Sequence, residues 1–273
     1  MPVSKLKNLI LLILLLCIIA LLCLLIPRRL EQRREAQQLH SSLSSLCDSH
    51  NVNLDPARIP QTVTLYPLEL AEQASAERSA LNALIGEELS YEDGTIAASR
   101  AHGSWKNGTM KIKLTDQKSV ASLRRAAKKE LDRMAFQYER SPQPERRSPG
   151  TYTLWAGQTV LGVPVFSQGI TLTYVNSCLT EISGDFYTGT LTRTGSTACM
   201  SASDAVVRFL SARVDLGWVG SSITALDQGY LPSISAGFVR LLPVWKLTTD
   251  TGSFYVNGIT SEVFPADDIT ILT

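Results

Sequence analysis

Residues Leu9 to Ile26 read LILLILLLCIIALLCLLI, a run with nothing more polar than cysteine. As a helix rising about 1.5 Å per residue, it spans about 27 Å, close to the thickness of a bilayer's hydrocarbon core. In that medium each backbone amide needs an internal partner, which predicts a helix crossing the membrane once. A cleaved signal peptide is the rival reading, with Lys5 and Lys7 as its basic start. Pro27, Arg28 and Arg29 follow the run where a small-residue cleavage site belongs, and the run exceeds the usual apolar length of a signal, so the anchor is preferred. Basic residues near the ends favour Arg28, Arg29, Arg33 and Arg34 over Lys5 and Lys7. Taken by itself, that asymmetry places the rest of the chain in the cytoplasm.

The 273 residues leave enough chain beyond the anchor for one or two small domains. With 44% hydrophobic and 19% charged residues, most of it is expected to fold. A formal net charge of +1 offers no signal for nucleic acid as a partner. Local charge is another matter. Lys118 to Arg147 carries nine basic and four acidic residues, counted along that stretch, either a solvated helix face or a surface for anionic lipid or polymer.

Residues 1–29 are read as the anchor with its short tail and 30–60 as a juxtamembrane helix and linker, with Leu39, Leu43 and Leu46 in a helical stripe. A first α+β subdomain is expected over 61–140. In it Thr62 to Tyr66 alternates like a strand, and Pro67 opens a helix bearing Leu70, Ala74, Glu77, Leu81 and Leu84 on one face. Glu92-Asp93-Gly94 and Lys106-Asn107-Gly108 read as hairpin turns, and a second helix is expected over about Val120 to Tyr138. Three prolines and a glycine in Ser141 to Gly150 mark a linker at 141–150. A second α+β subdomain follows over 151–273. It has strands from Tyr152 to Tyr187, a helix from Ser201 capped by Ser201 and Asp204, and strands at Ile223 to Leu231, Phe238 to Thr249 and Ser253 to Asn257. The fold class expected is α+β: one transmembrane helix, then antiparallel sheets with helices on one face.

Chemistry-bearing residues are sparse. His40, His50 and His102 are scattered, without HExxH, paired CxxC, G-x-S-x-G or phosphate-loop spacing, so no catalytic residue, metal ligand or cofactor is assigned and the chain is read as a non-enzyme. Glu92 with Asp93 and Asp267 with Asp268 are adjacent carboxylates, better explained as turn residues. Asn107-Gly108-Thr109 fits a glycosylation acceptor, yet a turn accounts for it. Cys178 and Cys199 flank a hairpin and a helix start. In an oxidising compartment they are a candidate disulfide, which by chain entropy adds about 3 kcal/mol; the alternative is two separate buried thiols. Most aromatics, Trp155 and Phe166 among them, are expected in the core, with any exposed member marking a partner surface.

Residues 242–263, LPVWKLTTDTGSFYVNGITSEV, resemble the final hairpin of PepSY-like domains, in which an aliphatic-Pro-x-Trp strand turns into one ending Tyr-Val-Asn. The helix Ser203 to Ala212 and the strand Leu226 to Tyr230 precede it in the same order. Together with one anchor and this length, the layout resembles the YycH and YycI regulatory proteins, YycI especially. The C-terminal likeness covers about 120 residues, and Ser261 stands where the closing turn would carry glycine. The resemblance implies two PepSY-like subdomains outside the cell. It also implies partners: a sensor histidine kinase of a cell-wall two-component system and a related YycH-like protein. The outside placement opposes the arginine count.

Overall fold

The structure is a computed structural model. It describes residues 14, 16, 43–55, 59–60, 62–86, 89–115, 117–235 and 238–268. Fifteen strands and three complete helices are found among them.

The first half of the molecule grows from local hairpins. β3 (Ser90–Glu92) turns through Asp93 and Gly94 into β4 (Thr95–Ala97), and β5 (Ala101–Lys106) turns through Asn107 and Gly108 into β6 (Thr109–Leu114). Both turn residues have positive φ in each case, the backbone a two-residue hairpin needs to match strand twist. β7 (Pro144–Ser148), β8 (Thr151–Val160), β9 (Val163–Val175) and β10 (Cys178–Asp185) extend this into an antiparallel sheet of order β7-β8-β9-β10-β6-β5-β4-β3. α1 (Gln73–Ile85) and α2 (Leu123–Arg133) lay Leu81, Leu84, Ala127 and Leu131 on one face, against Trp105, Ile112, Leu154, Ile170, Tyr174 and Ile182.

The second sheet runs β11-β2-β13-β12, where β2 is Leu68–Ala71, β11 Thr190–Arg193, β12 Ser222–Ser235 and β13 Phe238–Thr249. β14 (Ser253–Asn257) and β15 (Val263–Pro265) extend it from the far half of β13, and β1 (Asn53–Leu54) pairs in parallel with β12. α3 (Ala202–Ala212) covers it with Ala205, Val206, Phe209 and Leu210, over Trp218, Leu226, Trp245 and Phe254. The N-cap half of the expected capping box forms, Asp204 N donating to Ser201 Oγ at 3.2 Å, while the Asp204 carboxylate accepts from the Ser201 hydroxyl at 2.7 Å.

One hairpin joins the two cores. The open end of β8–β9 packs Leu154, Ile170 and Leu172 into the first core, while its tip sends Val160, Val163 and Val165 into the second. Tyr230 of β12 pairs with Val165 there.

The expected fold class is corrected. Strands carry the architecture rather than the expected α+β arrangement led by a transmembrane helix, because period-two alternation runs through most of the chain after residue 90 while the helices stop after 11 to 13 residues. A 13-residue helix spans only about 20 Å, and no helix among the described residues is long and apolar enough to cross a membrane. The run Leu9–Ile26, apart from Leu14 and Leu16, lies outside the described residues, as does His40.

Smaller corrections follow the same physics. Leu68–Ala71 is a strand, not the start of a helix from Pro67: Leu70 finds ladder partners in Leu191 and Val239. α1 then begins at Gln73 after Glu72 at φ 55°. α2 is shorter than expected because Ala135 at φ 53° ends it, with Phe136 N bonding back to Leu131 O at 3.0 Å. Thr62 to Tyr66 is extended but no ladder strand. Gln228 grips Val63 by both backbone groups at 2.8 Å and Tyr230 Oη donates to Tyr66 O at 3.3 Å. The expected linker contains β7, an edge strand that pairs only with β8 and whose one proline, Pro144, stands at its first position. Sheet membership does not follow the division at 141–150: β8 to β10 join the first sheet and β2 joins the second.

Candidate functional site

The β8–β9 hairpin has to bend where it passes from one sheet to the other. Its register shifts between Gly157 and Thr159, and opposite, Ser167 adopts φ 62°, a left-handed conformation that a residue with a Cβ seldom takes. Such irregularities re-aim side chains, and here they open a cleft of about 580 Å³ whose walls include Arg140, Trp155, Gln158, Phe166, Gln168 and Lys246. A volume of that size is in the ordinary range for small-molecule sites.

Trp155 is the outstanding feature. Alternation along β8 sends Leu154 and Ala156 into the core, so Trp155 faces out, 63% exposed. Its ring lies over the cross-strand pair Gly157 and Gly169. A Cβ built on Gly157 would come within 2.7 Å of the indole, and one on Gly169 within 2.8 Å of Nε1. Glycine at both positions therefore lets the indole rest on bare backbone. Beside it, Lys246 Nζ sits 5.8 Å from the centre of the Phe166 ring, and Arg140 pairs with Glu139 at 3.8 Å. Phe166 in turn stacks at 5.6 Å on Tyr255, whose hydroxyl is pushed up by burial and held back by a hydrogen bond with Ser167.

Gln168 completes the wall. It is only 9% exposed, and its Oε1 is buried with no hydrogen-bond partner. An unpaired buried acceptor costs roughly 1–3 kcal/mol. Gln158 is satisfied: its Nε2 donates to Tyr187 O at 2.6 Å.

The residues singled out from sequence are placed elsewhere. Cys178 and Cys199, the candidate disulfide, are each a free thiol in the structure. Cys178 opens β10 in the first sheet, half-buried; Cys199 is buried in the second core, where burial pushes its thiol up. One starts a strand of the first sheet and the other lies in the second core, so chain proximity does not become contact. Glu92 and Asp93 lie at the β3–β4 turn, Asp267 and Asp268 in a short terminal turn, and Asn107 in the β5–β6 turn, its carbonyl accepting from Tyr187 Oη at 3.1 Å. His50 O accepts from Arg213 Nη1 at 2.7 Å and His102 is exposed on β5. Among the described residues no three His, Cys, Asp or Glu side chains gather as metal ligands. In the basic stretch, Arg133 pairs with Glu130 and Arg147 with Glu145, at 2.9 and 3.1 Å. Sequence reasoning put Trp155 among the core aromatics; its parity opposite Leu154 and Ala156 was the signal for the other face.

No family profile and no curated protein matches the chain. Among solved structures, it is similar to an uncharacterized protein from Eubacterium rectale, with 10% identity and a TM-score of 0.46 over 74% of this chain and 86% of that one. It is also similar to the Bacillus megaterium YpeB C-terminal domain, with 13% identity and a TM-score of 0.36 over 72% of this chain and 98% of that one. Likenesses of that strength carry no inference about activity.

Proposed function

We propose that the chain is an extracytoplasmic regulatory protein held at the membrane, which modulates a sensor histidine kinase of a cell-wall two-component system through protein contacts. A related YycH-like protein is the second partner. The observation that carries the regulatory reading is the terminal hairpin on which the YycH/YycI resemblance rests. β13 and β14 pair over Val244 to Thr248 and Ser253 to Asn257, with Trp245 fully buried and its Nε1 donating to Met200 O at 2.9 Å just ahead of α3. Helix and hairpin thus pack as one unit, which supports the reading. A ligand-binding module is the second reading, favoured by the exposed Trp155 in its cleft of mixed polar and apolar lining.

Affinity purification of the tagged full chain from its native membrane, followed by mass spectrometry, tests the proposal. A histidine kinase that co-purifies reciprocally supports it; its absence after cross-linking refutes it. Protease treatment of intact cells tests the side of the membrane: a folded part cleaved only after permeabilisation rules out the extracytoplasmic placement.

A further inference from the structure

We propose that the cleft at the bend of the β8–β9 hairpin is a saccharide subsite, in which the apolar face of one pyranose ring stacks on Trp155. The inference stands apart from the regulatory reading and uses only the cleft.

Trp155 presents one ring face to Gly157 and Gly169 and leaves the other open. An indole supported in that way by backbone is a flat platform that a ligand can cover without moving it. What covers it must bring a flat apolar face and a polar edge together, because the lining is mixed: Pro142, Pro164 and Phe166 make it mainly apolar, while Gln143, Ser167, Gln168 and Thr159 supply polar groups. A pyranose has that shape, with C–H bonds on its face and hydroxyls around its rim. One of those hydroxyls supplies the donor that Gln168 Oε1 lacks, once the amide turns toward the cleft.

Other occupants fit less well. An added peptide strand needs open backbone donors and acceptors, yet here β8 and β9 pair with each other and Gln158 bridges to Tyr138. A stacked nucleotide brings phosphates, while the lining sets the Glu139 carboxylate beside its two cations, Arg140 and Lys246. With Glu139 beside Arg140 and Lys246, the lining keeps only a single net positive charge, little to hold a phosphate chain, so a neutral ligand fits better.

The test is a tryptophan-fluorescence titration of the full chain, kept in solution by a sugar-free zwitterionic detergent, with chitotetraose, cellotetraose and maltotetraose as probes. Trp105, Trp218 and Trp245 are buried at 1%, 8% and 0% exposure, so the ligand response reports Trp155. At least one probe is expected to give a saturable change. Trp155→Ala should weaken that binding about tenfold or more, judged by a calorimetric titration, with the unfolding midpoint unchanged, and Trp155→Tyr should retain part of it. Gln168→Leu should weaken binding without loss of stability, which a purely structural glutamine would not do. No saturable response to any probe at up to about 10 mM, beyond the weak end of the affinity scale, overturns the proposal. So does binding that survives Trp155→Ala, or capture of a proline-rich peptide at Trp155 with all three sugars inert.

Discussion

Gly258 sits where the end of β14 meets the segment that leads into α3, and substitution there tests how the second core is closed. Its N donates to Pro243 O at 2.9 Å and its own carbonyl accepts from Met200 N at 2.9 Å. A Cβ on Gly258 would collide with Cys199 Sγ and lie 2.9 Å from Pro243 O, with Cys199 Cβ at 3.2 Å. Pro243 is held by pairing with Tyr230, and Cys199 is 8% exposed with its N donating to Leu65 O at 2.8 Å, so neither atom withdraws cheaply. Overpacking of this kind costs about 1–3 kcal/mol. The entropy an alanine removes from the unfolded chain returns about 0.4–1 kcal/mol. Gly258→Ala is therefore expected to destabilise by about 1–2 kcal/mol, and Cys199→Ala alone by about 1 kcal/mol for its buried sulfur. In the double variant the sulfur is gone, and the Pro243 carbonyl and the remaining Cβ at position 199 crowd the new methyl less severely. The loss should then fall short of the sum by about 1 kcal/mol, within the usual range for residues in contact. Urea unfolding followed by circular dichroism and fluorescence measures all three, with m-values compared to exclude changes in the unfolded state. Additivity within about 0.3–0.5 kcal/mol would show that the thiol is not the obstacle and refute the reasoning.

Ser261→Gly should stabilise by about 1 kcal/mol in the same assay, because Ser261 holds φ 68° in the turn after Asn257, a conformation glycine adopts without strain. Glu77 is half-buried and accepts from Tyr91 Oη; burial pushes its carboxyl up, against which that hydrogen bond works. A raised folded pKa means stability is fullest below the ordinary glutamate range and declines as pH rises through the folded value. Glu77→Gln should flatten that decline, and an unchanged pH profile would count against it. Asp250 is the opposite case: Ser221 N at 2.8 Å, with help from Ser221 Oγ, holds its carboxyl below the usual range. Its contribution is present above the unfolded aspartate pKa and lost as pH falls through the folded value, so Asp250→Asn should reduce the acid sensitivity of unfolding. Trp105→Phe should cost less than about 1.5 kcal/mol by thermal unfolding, since Trp105 Nε1 is buried without a partner and its loss offsets part of the lost packing.

Much of the strand pattern was legible in the chain alone. β13 and β14 fall at Phe238–Thr249 and Ser253–Asn257 as alternation and Asp250-Thr251-Gly252 predict, and Ser201 caps α3 through Asp204. These are contacts between near neighbours, set by side-chain parity, turn chemistry and capping, which the sequence carries within a few residues. Partners distant in sequence were decided by tertiary structure. Leu70 could complete a helical stripe or a ladder, and only the availability of β11 and β13 chose the strand. Cys178 and Cys199 are kept apart because Cys178 opens β10 of the first sheet, whereas the chain then passes through β11 of the second sheet to Cys199 in the second core. The cleft has the same origin. Trp155, Phe166, Gln168 and Lys246 come from three strands, and it is the bend at Gly157 and Ser167, where one hairpin serves two cores, that brings them to one wall.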